Sequence, residues 1–302
     1  ALMLATVHQP LRHSDALSVL AAHLGKLDAQ LQEELAYCGI LTIRLEQEAE
    51  VWLGIDQEVR PCKSSSSLKV LVVLEPPDVK RISTRGFDLV LSWHEEHLAS
   101  LRHSELFVAA TPWLIPAEWQ QFSGDAKQPG LGFLRGSKRR AAGHILRHEV
   151  WEARELFQAE LKVPLHFQEG GVSRDERNNQ FRHHFVLVIE NSRHANYFTE
   201  KLLDALLARC VPVYWGCSNI ADFFEASGMI LLGPDSGSNE VLEACRHLSE
   251  GEYHARRDAV ERNFELAQRY AGDFGLRVQQ AIDTAVCREG FVRGTTLAAS
   301  DV

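Results

Sequence analysis

The sequence predicts an α/β protein made of two doubly wound domains facing a cleft. Three observations predict it. Short, nearly continuous apolar runs recur at residues 68–74 (LKVLVVL), 87–92 (FDLVLS) and 211–214 (VPVY), as parallel strands buried on both faces require. Stretches with helical apolar spacing separate such runs. The alternation is present in both halves of the chain.

Taken in order, residues 14–37 have helical spacing, with Leu17, Leu20, Ala21, Leu24, Leu27, Leu31 and Leu35 on one stripe. Strand candidates follow at 40–45 and 51–55, a serine-rich surface loop at 61–67, and strands at 68–74 and 87–92. Residues 123–130 (SGDAKQPG) are polar with Gly and Pro and read as a linker. The domains are therefore expected at 1–128 and 129–302. The second restarts with a strand at 132–134, a helix at 144–161 and a strand at 165–168. After residues 184–216 come a short helical stretch at 220–226, a strand at 229–232 and helices at 238–249 and 252–286. No internal repeat is present.

Composition narrows the class. With 302 residues, 45% of them hydrophobic, the chain can bury substantial cores. A net charge of −9 argues against a general nucleic-acid binder. Six cysteines without a CxxC pair read as reduced thiols of a cytosolic protein, not a disulfide framework or a zinc site. No apolar run approaches the ~20 residues that span a bilayer, and no signal-peptide pattern opens the chain. A cytoplasmic, bacterial-type protein is expected. The oligomeric state is not legible.

Most of the functional information lies in residues 184–216, HFVLVIENSRHANYFTEKLLDALLARCVPVYWG. This reads as a buried strand ending in Glu190 and Asn191, a polar loop closing on Asn196 and Tyr197, a helix opened by Thr199–Glu200–Lys201, and a second buried strand. Ligands of open α/β sheets sit beyond the carboxyl ends of the strands, where helix N-termini supply backbone donors. A carboxylate, amides, a phenol, a hydroxyl and an ammonium converging there suit a polar, anionic ligand. Thr199 also serves simply as an N-cap and Glu200 simply favours the dipole. Lys201, however, opposes the dipole, which is easier to tolerate if it faces an anion.

The letters ENS, YFTEKLLDAL and VPVYWG, with five residues between Asn191 and Tyr197 and ten steps from Lys201 to Val211, resemble the donor-binding motif of the α-1,3-fucosyltransferases, glycosyltransferase family 10. The resemblance implies the GT-B architecture of two Rossmann-like domains and GDP-fucose as donor. It implies that Glu200 contacts the sugar nucleotide and that Lys201 neutralises phosphate, with Glu190, Asn191, Tyr197 and Thr199 shaping the pocket. One departure is residues 228–232 (GMILL), where the family has a Ser-Phe-Ile-type strand.

Two further regions qualify. Between Leu131 and Arg147 there are five Arg or Lys and no acidic residue. This is either a solvated basic loop or a diphosphate cradle formed by Ser137, Lys138 and the helix carrying Arg147. It is not a P-loop, because GxxxxGK[ST] is absent. The family has a donor-phosphate Arg on this helix, and Arg147 matches it. Residues 74–77 (LEPP) end the strongest N-terminal strand. They are either a proline-rigid turn or the seat of a general base, and the family's acceptor-side motif makes Glu75 that base. The pairs His144/His148 and His94/His97 suggest no third ligand nearby, so no metal or other cofactor is expected.

The expectation is an inverting transferase moving L-fucose from GDP-fucose to a glycan hydroxyl. Its partners would be a nucleotide sugar and a glycan acceptor. The alternatives are a GT-B transferase using another nucleotide sugar and an inactive sugar-nucleotide binder. An NAD-dependent oxidoreductase is disfavoured, since neither half shows GxGxxG after its first strand.

Overall fold

The computed structural model describes residues 3–4, 42–44, 50–56, 68–123, 126–171 and 173–288. The helix expected at 14–37 and the loop expected at 61–67 lie outside the described residues. The chain divides into two compact units. One holds the residues up to Ala109 together with those from Gly272 onward, and the other runs from Ala110 to Ala271.

The first unit is a six-stranded sheet in chain order: β1 (Met3–Leu4), β2 (Thr42–Arg44), β3 (Glu50–Ile55), β4 (Leu68–Val72), β5 (Leu89–Ser92) and β6 (Ser104–Leu106). β1, β2 and β3 pair antiparallel, and β3 to β6 pair parallel. Side chains alternate across a strand. Val70 and Val72 of β4 thus enter one core cluster, while Leu71 and Val73 enter another. The first cluster is closed by Phe274, Val278 and Ile282 of the helix Phe274–Val286. This differs from the expectation that residues 129–302 form one domain. The four-residue spacing of those side chains gives the helix an apolar stripe, and the described strands of the first unit are what cover it. The continuous helix expected at 252–286 is also broken, because Asp273 caps a new start by accepting from the amides of Gly275 and Leu276.

The second unit is an all-parallel sheet of β7 (Gln128–Leu134), β8 (Leu165–Gln168), β9 (His183–Ile189), β10 (Val211–Trp215) and β11 (Ile230–Leu231). The spatial order is β11-β10-β9-β7-β8. Read from the other edge, the strands run second, first, third, fourth, fifth in sequence, the doubly wound order in which the chain reverses direction between its first and third strands. That switch point lies between β7 and β9. β9 and β10 are buried throughout, which accounts for their unbroken apolar letters.

Of the residues expected as a linker, 123–130, those from 126 onward lead into this sheet instead. Residues 128–130 begin β7, and Lys127 is buried. Its ammonium donates to the carbonyls of Phe181 at 2.5 Å and His183 at 3.3 Å and to Cys210 Sγ at 3.0 Å. A polar composition reads as a loop, but a lysine whose donors all find partners is tolerated inside. The helix expected at 144–161 is two helices, Ala142–Glu152 and Arg154–Glu160, interrupted at Ala153.

Candidate functional site

The site grows from the carboxyl ends of β7, β9 and β10. β9 ends at Ile189, and the next residue, Glu190, is fully buried at 0% exposure. Its carboxylate does not face solvent. It accepts the Thr199 amide at 2.8 Å and the Thr199 hydroxyl at 2.6 Å. Thr199 is the N-cap of the helix Glu200–Leu207. Its oxygen in turn accepts the Lys201 amide at 3.4 Å and the Lys201 ammonium at 3.1 Å. A hydroxyl has one proton and two lone pairs, and all three are used.

The Lys201 ammonium also donates to Glu200 at 2.9 Å and stands 3.8 Å from Glu190. Its side chain keeps 29% exposure, against none for Glu190, so Lys201 is the partner that meets solvent. Burial pushes the Glu190 carboxyl up, against the pull of Lys201. Burial also works against charge on Glu200 and Lys201. Their mutual attraction, together with the pull of Glu190 on Lys201 and the hydrogen bonds to Glu200, outweighs it, holding Glu200 below and Lys201 above their ordinary values. The direct ligand contact expected of Glu190 is therefore not what its geometry offers. It holds the residues that do face outward.

A second group forms across the switch point. In the helix Ala142–Glu152, Arg147 donates through Nε to the Gly143 carbonyl at 3.2 Å and through an Nη to Asn191 Oδ1 at 2.6 Å. Gly143 donates its amide to the Asn191 carbonyl at 3.0 Å. A side chain at 143 would collide with the Glu190 carbonyl, so this approach requires glycine. The Arg147 guanidinium also approaches the turn after β7. A methyl on Gly136, whose φ is +72°, would lie 3.3 Å from its other Nη. Burial draws Arg147 down from its ordinary value, partly offset by Glu190 and Glu200.

Ser137 and Lys138, expected in the cradle, are exposed on that turn. The recorded hydrogen bond of Lys138 is through its carbonyl, 3.2 Å from His148 Nε2. Tyr197 is buried, with His194 edge-on at 6.3 Å. The loop before it is fixed by Asn196, whose φ is +60°. Its amide donates to Asn219 Oδ1 at 2.7 Å, and its own Oδ1 accepts from Asn219 at 2.9 Å. After β10, a side chain on Gly216 would strike Glu190 and Tyr214, so this position closes the floor under Glu190.

In the first unit, Glu75 is half-buried just past β4. Its amide donates to Asp56 at 3.0 Å, as the Leu74 amide does at 2.7 Å. Asp56 was not anticipated from sequence. Burial raises its carboxyl to about 6. Nearby, His97 Nδ1 pairs with Ser92 Oγ at 2.9 Å.

Residues 154–249 match the family description "glycosyltransferase family 10 (fucosyltransferase) C-term", a span that includes the Glu190–Lys201 group. This stretch of the chain is similar to the C-terminal domain of that family. An alpha-(1,4)-fucosyltransferase of Arabidopsis thaliana is 36% identical over 110 residues, 34% of this chain and 25% of that protein. The alpha-(1,3)-fucosyltransferase FucT of Helicobacter pylori is 27% identical over 75 residues, 24% of this chain and 16% of that protein. The matched stretches thus span a quarter or less of these relatives.

Two solved structures extend the likeness to most of the chain. An alpha1,3-fucosyltransferase with GDP superimposes with a TM-score of 0.51 at 13% identity, covering 83% of this chain and 82% of that one. One with GDP-fucose gives 0.50 at 14%, covering 74% and 76%. At such identities the likeness fixes the fold alone: an α/β chain of the GT-B class. No described helix is long and apolar enough to cross a membrane.

Proposed function

We propose that this chain is an inverting fucosyltransferase that transfers L-fucose from GDP-fucose to a hydroxyl of a glycan acceptor. The observation that carries the proposal is the Lys201 ammonium. It is held by Thr199 and Glu200 at the opening of a helix, on a side chain that keeps 29% exposure, and the positive charge of Arg147 acts on it. Two cations so arranged can balance the charge that grows on a departing diphosphate. Glu200 next to Lys201 offers a carboxylate that accepts two hydrogen bonds from a ribose diol. Asn191 lies beside both groups.

The reaction needs a base to remove the acceptor proton as its oxygen attacks the anomeric carbon. Glu75, fixed by its backbone to Asp56, is our candidate. Arg147 and Lys201 would take the place that a cation holds in other transferases, so transfer is expected without added metal.

Calorimetric titration with GDP, GDP-fucose, UDP and CMP in the absence of metal tests the reading. Selective binding of GDP and GDP-fucose supports the donor and justifies acceptor screening. Preference for UDP or CMP discards fucose and keeps a GT-B transferase. Binding of none overturns the proposal. Donor binding without transfer to any glycan would favour an inactive binder.

A further inference from the structure

The carboxyl ends of three neighbouring strands meet at one peptide segment. β3, β4 and β5 lie side by side and run parallel. Asp56 follows β3, Leu74 and Glu75 follow β4, and Trp93 follows β5. Asp56 Oδ1 accepts the Leu74 amide at 2.7 Å, and Oδ2 accepts the Glu75 amide at 3.0 Å. From the opposite neighbour, the Trp93 indole donates to the Leu74 carbonyl at 3.0 Å. Beyond Glu75, the rings of Pro76 and Pro77 fix φ, and the Pro76 carbonyl accepts the amides of Val79 and Lys80, both at 2.9 Å. The backbone on both sides of Glu75 is thus held.

Asp56 stands at φ +50°, a conformation that Asp and Asn adopt more readily than most residues. Its own amide donates to the Val72 carbonyl at 2.9 Å, which anchors it to the end of β4. Asp56 and Trp93 are buried, whereas Glu75 is half-buried. Burial lifts the Asp56 carboxyl to about 6 against the pull of its two amide bonds, and the charge of Glu75 adds to the lift. A buried carboxylate is costly, and this one gives an oxygen to each of two successive amides.

We infer that Asp56 and Trp93 are positioning residues for transfer: together they hold the Leu74–Glu75 backbone so that the Glu75 carboxylate starts from a fixed point. This rests on Glu75 being the base, as proposed above. A general base must stand within about 2.6–3.2 Å of the group whose proton it takes. A displacement of about 1 Å can cost about a hundredfold in rate. Neither Asp56 nor Trp93 is assigned a contact with the substrate.

A double-mutant cycle in turnover tests it. Turnover is read as GDP release from GDP-fucose, with water or a screened glycan as acceptor, and GDP affinity is read by calorimetry. Asp56→Asn keeps the size and the tolerance of positive φ, but it turns an NH2 group toward one of the two amides. It should lower turnover about ten- to a hundredfold and leave GDP affinity within about twofold. In a Glu75→Gln background the same change should cost less than about threefold, because the group it positions is already gone. Trp93→Phe keeps an aromatic ring and loses the indole donor. It should show the same dependence on Glu75, and it carries the test if Asp56→Asn fails to fold. Losses that multiply in full in both backgrounds overturn the assignment. So does a folded Asp56→Asn with wild-type turnover, or one whose GDP affinity falls as far as its turnover. Wild-type turnover in Glu75→Gln alone overturns the base first, and this assignment with it.

Discussion

Thr199 is bonded twice to Glu190, amide to Oε1 at 2.8 Å and hydroxyl to Oε2 at 2.6 Å, while its oxygen receives the ammonium of Lys201. One hydroxyl therefore links a buried carboxylate, a helix cap and an outward-facing cation.

Replacing that hydroxyl should be felt in both stability and binding. Thr199→Val removes an N-cap, worth about 1 kcal/mol, and leaves a buried carboxylate oxygen without its donor, about 1–3 kcal/mol more. Urea denaturation should show a loss of about 2–4 kcal/mol, with Thr199→Ser close to wild type. A Thr199→Val protein as stable as wild type would remove this linkage from the account.

Lys201→Ala should weaken GDP binding and reduce turnover while the protein stays folded, since the side chain is partly exposed and its loss leaves Glu200 uncompensated. Unchanged GDP affinity would end its role in balancing diphosphate charge.

Gly143→Ala tests the seam between β9 and the Ala142–Glu152 helix. The added methyl meets the Glu190 carbonyl, which is backbone and cannot rotate away. The helix must shift, and overpacking of this kind costs about 1–3 kcal/mol. GDP binding should fall with it, because Arg147 moves as well. A crystal structure of the variant with Arg147 still on Asn191 would contradict this.

The pH profile has a definite sign. Asp204 is fully buried and accepts the amides of Trp113 at 2.7 Å and Leu114 at 2.9 Å. Arg177 lies 3.1 Å from its other oxygen. Burial nonetheless raises the Asp204 carboxyl from 3.8 to about 6. Between those values the folded state binds more protons than the unfolded state, so stability falls as pH rises from about 4 to about 6. A shift of about two units corresponds to at most roughly 3 kcal/mol. Asp204→Asn should flatten the slope by that share; an unchanged slope would show that Asp204 does not titrate there.

Glu75→Gln should leave GDP affinity intact and lower transfer by ~10²–10⁴-fold, the usual contribution of a general base. Wild-type turnover in this variant would take Glu75 out of the mechanism.

The gap between sequence and structure is physical. The strand β9 and the helix after Thr199 were legible because apolar runs and an N-cap are local signals. The helix Phe274–Val286 was misgrouped because an amphipathic stripe records that a helix is covered, not by which strands. Lys127 was read as linker because burial of a lysine depends on acceptors 54 and 83 residues away. His144 was weighed as half of a metal pair, since its spacing from His148 was visible and its bond to the Ala141 amide was not.

By itself, the sequence determined the alternation of strands and helices in the second unit and the residue types standing where β9 ends and the next helix begins. Both follow from side-chain periodicity and capping, which act over a few residues. Tertiary structure decided that β7 lies beside β9. That neighbour choice brings Arg147 to Asn191 across 44 residues of chain and turns Glu190 inward beneath Lys201. Strand order is set by long-range burial and backbone pairing, and no local pattern of letters encodes it.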